Sequence, residues 1–169
     1  MGEEYCRVLK EAFDNRWVDV YQNKGKRSGA YAAGTPVHPY VLLNFNGTLD
    51  SLFTLAHEMG HAMHSYFSNK TQPFAKSDYT IFVAEVASTC NEVLTIQYLR
   101  KKYAGNKAAQ IALIGRLLEG FRTTVFRQTM FAEFERKAHD AYMEGRPLTA
   151  EALNKIYRDL NLQYYDGAD

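Results

Sequence analysis

Three of the five histidines in this 169-residue chain fall in one short stretch, TLAHEMGHAMHSYF (residues 54–67), together with one glutamate. His57 and His61 stand four apart, so on an α-helix both imidazoles share a face, one turn from each other. Two ring nitrogens placed in this way can reach one Zn²⁺ at about 2.0–2.1 Å. Glu58 is rotated by about 100° from His57 and about 60° from His61 at 3.6 residues per turn. A carboxylate there stands beside the metal without ligating it, where a general base takes a proton from a metal-activated water. The competing interpretation is a packed helix with incidental histidines, among Leu52, Leu55, Met59 and Met63. By chance HExxH arises in well under about 1 in 100 chains of this length, which favours the chemistry.

A catalytic zinc site takes three protein ligands and leaves one position open. The continuation HExxHxxGxxH is absent, since position 64 is His and position 67 is Phe. The stretch FVAEVASTCNE (residues 82–92) instead offers Glu85 and Glu92, seven apart and therefore two turns apart on one helix face. Glu85 is flanked by Val83, Ala84, Val86 and Ala87. A carboxylate in apolar surroundings costs free energy unless paired or metal-bound, which favours Glu85 as the third ligand. Glu92 then reads as a partner for the free N–H of a ligand histidine, or as an ordinary surface carboxylate.

His64 shares the face of His57 and His61. As a fourth ligand it would close the site. A role behind the ligands or towards substrate competes with plain packing. His38 precedes a strand and either lines a cleft or sits in a turn. His139, beside Asp140, reads as a solvated helix residue.

The elements that must position these groups are legible in outline. EEYCRVLKEAF (residues 3–13) places Tyr5, Val8, Leu9 and Phe13 at helical spacing. WVDVY (17–21) and YVLLNF (40–45) read as short strands, and the glycine-rich stretch between them as a turn with a further strand near GAYAA (29–33). Thr48, Asp50 and Ser51 are candidate N-caps for a helix running to about residue 67. A loop (68–78) precedes a second helix (79–103). AlaGlyAsn at 104–106 breaks it. A third helix (107–144) bends near Gly115 or Gly120, and a last one spans 149–162. The expected fold is mainly α: a single domain over residues 1–169, with a small β element at about 17–48 preceding a helical part at about 50–162.

Bulk properties exclude other classes. Twenty basic against nineteen acidic residues give a net charge of +1, so nothing points to nucleic acid or an anionic membrane. Lys24, Lys26 and Arg27, and the cluster at 100–102, read as solvated charges. No apolar run approaches the roughly 18 residues of a membrane span. The first ten residues carry two glutamates and no apolar core, unlike a secretion signal. Cys6 and Cys90 form no CxxC pair and read as reduced, half-buried thiols, which fits the cytoplasm.

Taken together, AFDNRWVDVYQNKGKRSGAY, HPYVLLNFNGTLDSLFTLAHEMGHAMHSYF, FVAEVASTCNE and FRTTVFRQTMFAEFE resemble the oligoendopeptidase F branch of the thimet-oligopeptidase-like zinc peptidases. The resemblance covers the chain from about residue 3 to 165. It implies a zincin-like helical catalytic core with one zinc ion on His57, His61 and Glu85, and Glu58 as general base. It implies hydrolysis of short peptides within a channel, with substrate extended along the SGAY segment that contains Tyr31. Family members are several times longer, and nothing here matches the later stretch whose histidine and tyrosines serve substrate and oxyanion, the chain ending YYDGAD. The expectation is therefore a catalytic-core fragment, weak or inactive alone, that self-associates or docks with missing parts of the enzyme. The alternative is a non-catalytic zinc-binding helical module.

Overall fold

The computed structural model describes residues 1–165. The last four residues, and most of the YYDGAD end, lie outside the described residues. The chain groups into two compact units, Met1–Tyr103 and a second beginning at Ala104.

In the first unit, α1 (Glu3–Asp14) buries Val8 and Ala12 on the stripe its spacing predicts. It stops where Arg16 takes a left-handed φ of 58° and Trp17 N–H returns to the Ala12 carbonyl. The strands are shorter than predicted: β1 (Val18–Asp19), β2 (Tyr31–Ala33) and β3 (Tyr40–Leu42). They pair in the order β1-β3-β2, with β1 parallel and β2 antiparallel to β3. β2 is thus an edge strand, and Asn44 holds the loop leading into it by donating to the Arg27 and Gly29 carbonyls at 2.9 and 2.8 Å.

Helix α2 (Leu49–Thr71) starts at Thr48, whose hydroxyl accepts the Ser51 N–H at 3.2 Å. It buries Met59, Ala62 and Met63 against Val8, Trp17, Val41 and Leu43. α2 runs four residues beyond the expected end at residue 67. It stops because Pro73 forces Gln72 into the extended region, φ −110° and ψ 149°. The following loop holds one short 3₁₀ turn, Phe74–Lys76. α3 (Ile81–Lys102) follows, its last turn carrying Arg100, Lys101 and Lys102 in favourable register with the helix dipole.

The second unit opens with α4 (Lys107–Gly120), continues through a π-helical turn (Phe121–Phe126) into α5 (Arg127–Met143), and ends with α6 (Ala150–Tyr165). The predicted bend is therefore a wider turn that begins directly after Gly120. Met130, Ala141 and Leu160 are buried, and Phe131 and Phe134 lie against Tyr157.

Two readings of the sequence are corrected. Lys26 is not a solvated charge: its side chain is 7% exposed, folded back onto the Asp19 and Tyr21 carbonyls and the Asp19 carboxylate. Both cysteines are exposed rather than half-buried. Phe121, Val125 and Phe126 are about half exposed. Among the described residues no helix is long and apolar enough to cross a membrane.

Candidate metal centre

The site is built where α2 crosses α3, and its closeness depends on Gly60. A Cβ at that position would lie 2.7 Å from Ser88 Cα and 2.8 Å from the Ala87 carbonyl, so only glycine lets the two backbones meet there. A polar bracket fixes the same crossing. Asn91 Nδ2 donates to the Ala56 carbonyl at 3.1 Å, and the Tyr5 hydroxyl donates to Asn91 Oδ1 at 2.9 Å. One buried amide thus ties α1, α2 and α3 together immediately before His57.

On this frame His57, His61 and Glu85 converge, with one donor atom from each within 4.8 Å of the others. The two Nε2 atoms are 3.1 Å apart with their rings edge to face. Glu85 Oε2 is 3.4 Å from His57 Nε2, and Glu85 Oε1 is 3.6 Å from His61 Nε2. An ion bound at 2.0–2.1 Å in a tetrahedron separates its ligand atoms by about 3.3–3.4 Å. These three separations bracket that value, and two imidazoles with a carboxylate are a donor set suited to zinc.

The fourth group is Glu92, whose Oε1 lies 2.8 Å from His57 Nδ1. That bond takes up the Nδ1–H and leaves the Nε2 lone pair facing His61 and Glu85. Burial works against protonating His57, but the hydrogen bond and charge of Glu92, with the charges of Glu58 and Glu85, outweigh it and hold the pKa above the ordinary value. His61 moves the other way, lowered by burial and then by the charge of His57. Glu58 is buried, and burial raises its pKa, with His57 opposing and Glu85 reinforcing the rise.

The environment of Glu85 differs from the one that singled it out. Its side chain is 44% exposed, and Val83 and Val86 are 40% and 60% exposed. Sequence neighbours on a helix point in different directions, so apolar flanks do not bury a residue. Glu85 lies at the mouth of the α2–α3 crossing, facing the histidines and solvent together.

The remaining candidates stand apart from the three converging donors. His64 stacks on Tyr79 at 3.8 Å and 14°, and Tyr79 shares a 2.6 Å hydrogen bond with Ser65. Burial lowers the His64 pKa. His38 stacks on Trp17 and meets Tyr40 at a tilt of 45°, its Nδ1 at 2.9 Å from the Pro39 carbonyl. Tyr31 lies half exposed on β2. His139 is exposed, as predicted.

Sequence reasoning missed Gly60, Ser88, Asn91 and Tyr5. A glycine inside a helix costs about 1 kcal/mol relative to alanine, so Gly60 carried a readable signal. The Tyr5–Asn91 bond joins residues 86 apart and had none.

Comparison with known proteins matches residues 2–168 to the model of Peptidase family M3. The chain is 52% identical over 166 residues to oligopeptidase PepF of Bacillus subtilis (strain 168), covering 98% of this chain and 25% of that protein. It is 51% identical over 165 residues to the chromosomal oligoendopeptidase F of Lactococcus lactis subsp. cremoris, covering 97% of this chain and 27% of the relative. A solved peptidase from Chlamydophila abortus superposes with a TM-score of 0.76 at 45% identity, over 98% of this chain and 28% of that one. An oligoendopeptidase F from Bacillus anthracis str. Ames, at 23% identity and a TM-score of 0.80 over 97% of this chain and 29% of its own, shares the fold. The chain spans about a quarter of the length of the curated relatives it matches.

Proposed function

Because the chain belongs to peptidase family M3, we propose that it is the zinc-dependent endopeptidase core of an oligoendopeptidase F-like enzyme that hydrolyses short peptides. The observation that carries this reading is the convergence of His57, His61 and Glu85 donor atoms, with Glu92 fixing the His57 ring. His57, His61 and Glu85 would hold one zinc ion. When bound, zinc supplies Lewis-acid polarisation of a carbonyl and lowers the pKa of water towards about 7.

The chain's own groups do the rest. Glu58 accepts a proton from the attacking water at its carboxylate and passes it to the leaving amine. Its raised pKa suits both halves of that transfer, since a base that is too acidic holds protons too weakly. Glu92 keeps His57 in the tautomer whose Nε2 is free to ligate. The free edge of β2, including Tyr31, offers main-chain groups to an extended peptide, a pairing tolerant of side-chain sequence. His64 and His38 are assigned to positioning the α2 face and β3 through their aromatic stacks.

Residues 1–169 act as one catalytic core. The protein works in the cytoplasm, a setting in keeping with its two exposed free thiols. Taken alone, this stretch retains zinc but turns over peptides weakly, because it spans only about a quarter of its relatives. Exposed Phe121, Val125 and Phe126 suit self-association or docking with further parts of the enzyme. Metal analysis with a quenched fluorescent peptide assay tests the whole. One equivalent of zinc, and weak turnover abolished by Glu58→Gln, is the expected result. Absence of zinc would overturn the reading. Turnover equal to that of a full-length relative would overturn the claim of weakness.

A further inference from the structure

Ser88 is wholly buried, one turn along α3 from Glu85, and its backbone touches α2 at Gly60. Its hydroxyl lies 3.0 Å from two acceptors, the Glu85 main-chain carbonyl and Glu85 Oε2. A serine has one proton to donate, so the question is which acceptor takes it. The Glu85 carbonyl is already subscribed. It accepts the helical N–H of residue 89, and the Thr89 hydroxyl donates to it as well. A carbonyl has two lone pairs, and both are then used. The carboxylate is the better acceptor in any case, because hydrogen bonds to ionised oxygens are roughly twice as strong as neutral ones. With no solvent reaching Ser88, its proton has no other destination.

We infer that Ser88 is a positioning residue that fixes the Glu85 carboxylate in the rotamer facing His57 and His61. This inference rests on the zinc reading above. It matters because Glu85 is the most exposed of the three converging side chains, at 44% against 26% for His57 and 17% for His61. An exposed glutamate samples several rotamers, and Ser88 is the buried group that selects one. His57 is held from behind by Glu92. Ser88 does for Glu85 what Glu92 does for His57.

The test is zinc affinity measured by chelator competition, together with the visible spectrum of the Co²⁺-substituted chain. Both are compared with the thermal midpoint of the metal-free chain. Ser88→Ala is expected to raise the zinc Kd by about 10–100-fold, the usual effect of losing a partner of a metal ligand. It should also alter the Co²⁺ d–d bands at saturation, while leaving the metal-free midpoint within a few degrees of wild type. Thr89→Ala, which removes a hydroxyl bonded only to main-chain carbonyls, those of Glu85 and Val86, is expected to bind zinc like wild type. If Ser88→Ala folds poorly, Ser88→Thr decides, since it keeps the hydroxyl and should retain zinc. Zinc binding by Ser88→Ala equal to wild type would overturn the inference and leave the zinc reading standing. Equal losses in Ser88→Ala and Thr89→Ala would overturn it too. A wild-type chain that binds no zinc would overturn both.

Discussion

Gly60 and Ser88 are in backbone contact: the space where Gly60 would carry a Cβ is filled by Ser88 Cα, 2.7 Å away. This one approach sets how near α3 comes to the histidine face of α2. Glu85 stands one turn before the contact and Glu92 one turn after it.

Gly60→Ala is therefore expected to push the helices apart. Intrinsic helix propensity favours the alanine by about 1 kcal/mol, but overpacking against backbone costs about 1–3 kcal/mol. Net destabilisation in urea unfolding, with weaker zinc retention, is the expected pair of results. A more stable variant with unchanged zinc affinity would contradict the role of the contact.

Glu85→Ala and Glu92→Ala separate a ligand from its support. Glu92→Ala should weaken zinc by about 10–100-fold, as expected for a partner of a ligand. Glu85→Ala removes a donor atom outright and should cost substantially more. Equal retention by both variants in equilibrium dialysis would refute the assignment of Glu85 as the ligand.

Zinc retention should fall on acidification, and at a higher pH than it would if His57 had its ordinary pKa. The sign follows from competition: zinc takes the neutral imidazole, and the proton takes the same Nε2. Because His57 has its pKa raised, its protonated form persists to higher pH in the metal-free chain. Glu92→Gln removes the charge and leaves only a neutral amide oxygen to accept from His57, so it takes away much of what causes that rise. The acid limb of zinc retention should therefore shift to lower pH in this variant, even as overall affinity declines. A dialysis series across pH measures both effects.

Tyr5→Phe and Asn91→Ala test the bracket across the three helices. Tyr5→Phe removes one partly buried hydrogen bond and should cost about 0.5–1.5 kcal/mol. Asn91→Ala strips partners from both the Tyr5 hydroxyl and the Ala56 carbonyl, and should cost about 1–3 kcal/mol. Combined, the two should lose less than the sum, because both act on one network. Full additivity in denaturant unfolding would show that they act independently.

The periodicity of residues 3–13 and 50–67 was enough to place α1 and α2, because each buries a stripe whose spacing is local. Strand ends were harder. WVDVY and YVLLNF are apolar over five or six residues, yet only two or three of each pair, since pairing depends on a partner strand. The end of α2 was legible in Pro73, whose restriction of Gln72 is a covalent effect; the polar SNK run at 68–70 misled instead. Burial was read least well. Lys26 and the cysteines both differ from expectation, because burial depends on what other segments cover.

The sequence by itself determined the histidine spacing, and with it that His57 and His61 share a face beside Glu58. That relation lies within one helical turn and needs no other part of the chain. It also supplied two carboxylates seven apart, Glu85 and Glu92, as partners. The sequence favoured Glu85 as the ligand and left Glu92 open; only the tertiary structure sets their distances, Glu85 at 3.4 and 3.6 Å from the facing nitrogens and Glu92 at 2.8 Å behind His57. These distances depend on the height and rotation of α3 against α2. Those are fixed by the absent side chain of Gly60, the amide of Asn91 and the hydroxyl of Tyr5, contacts between residues that are distant in the chain and leave no periodic trace in it.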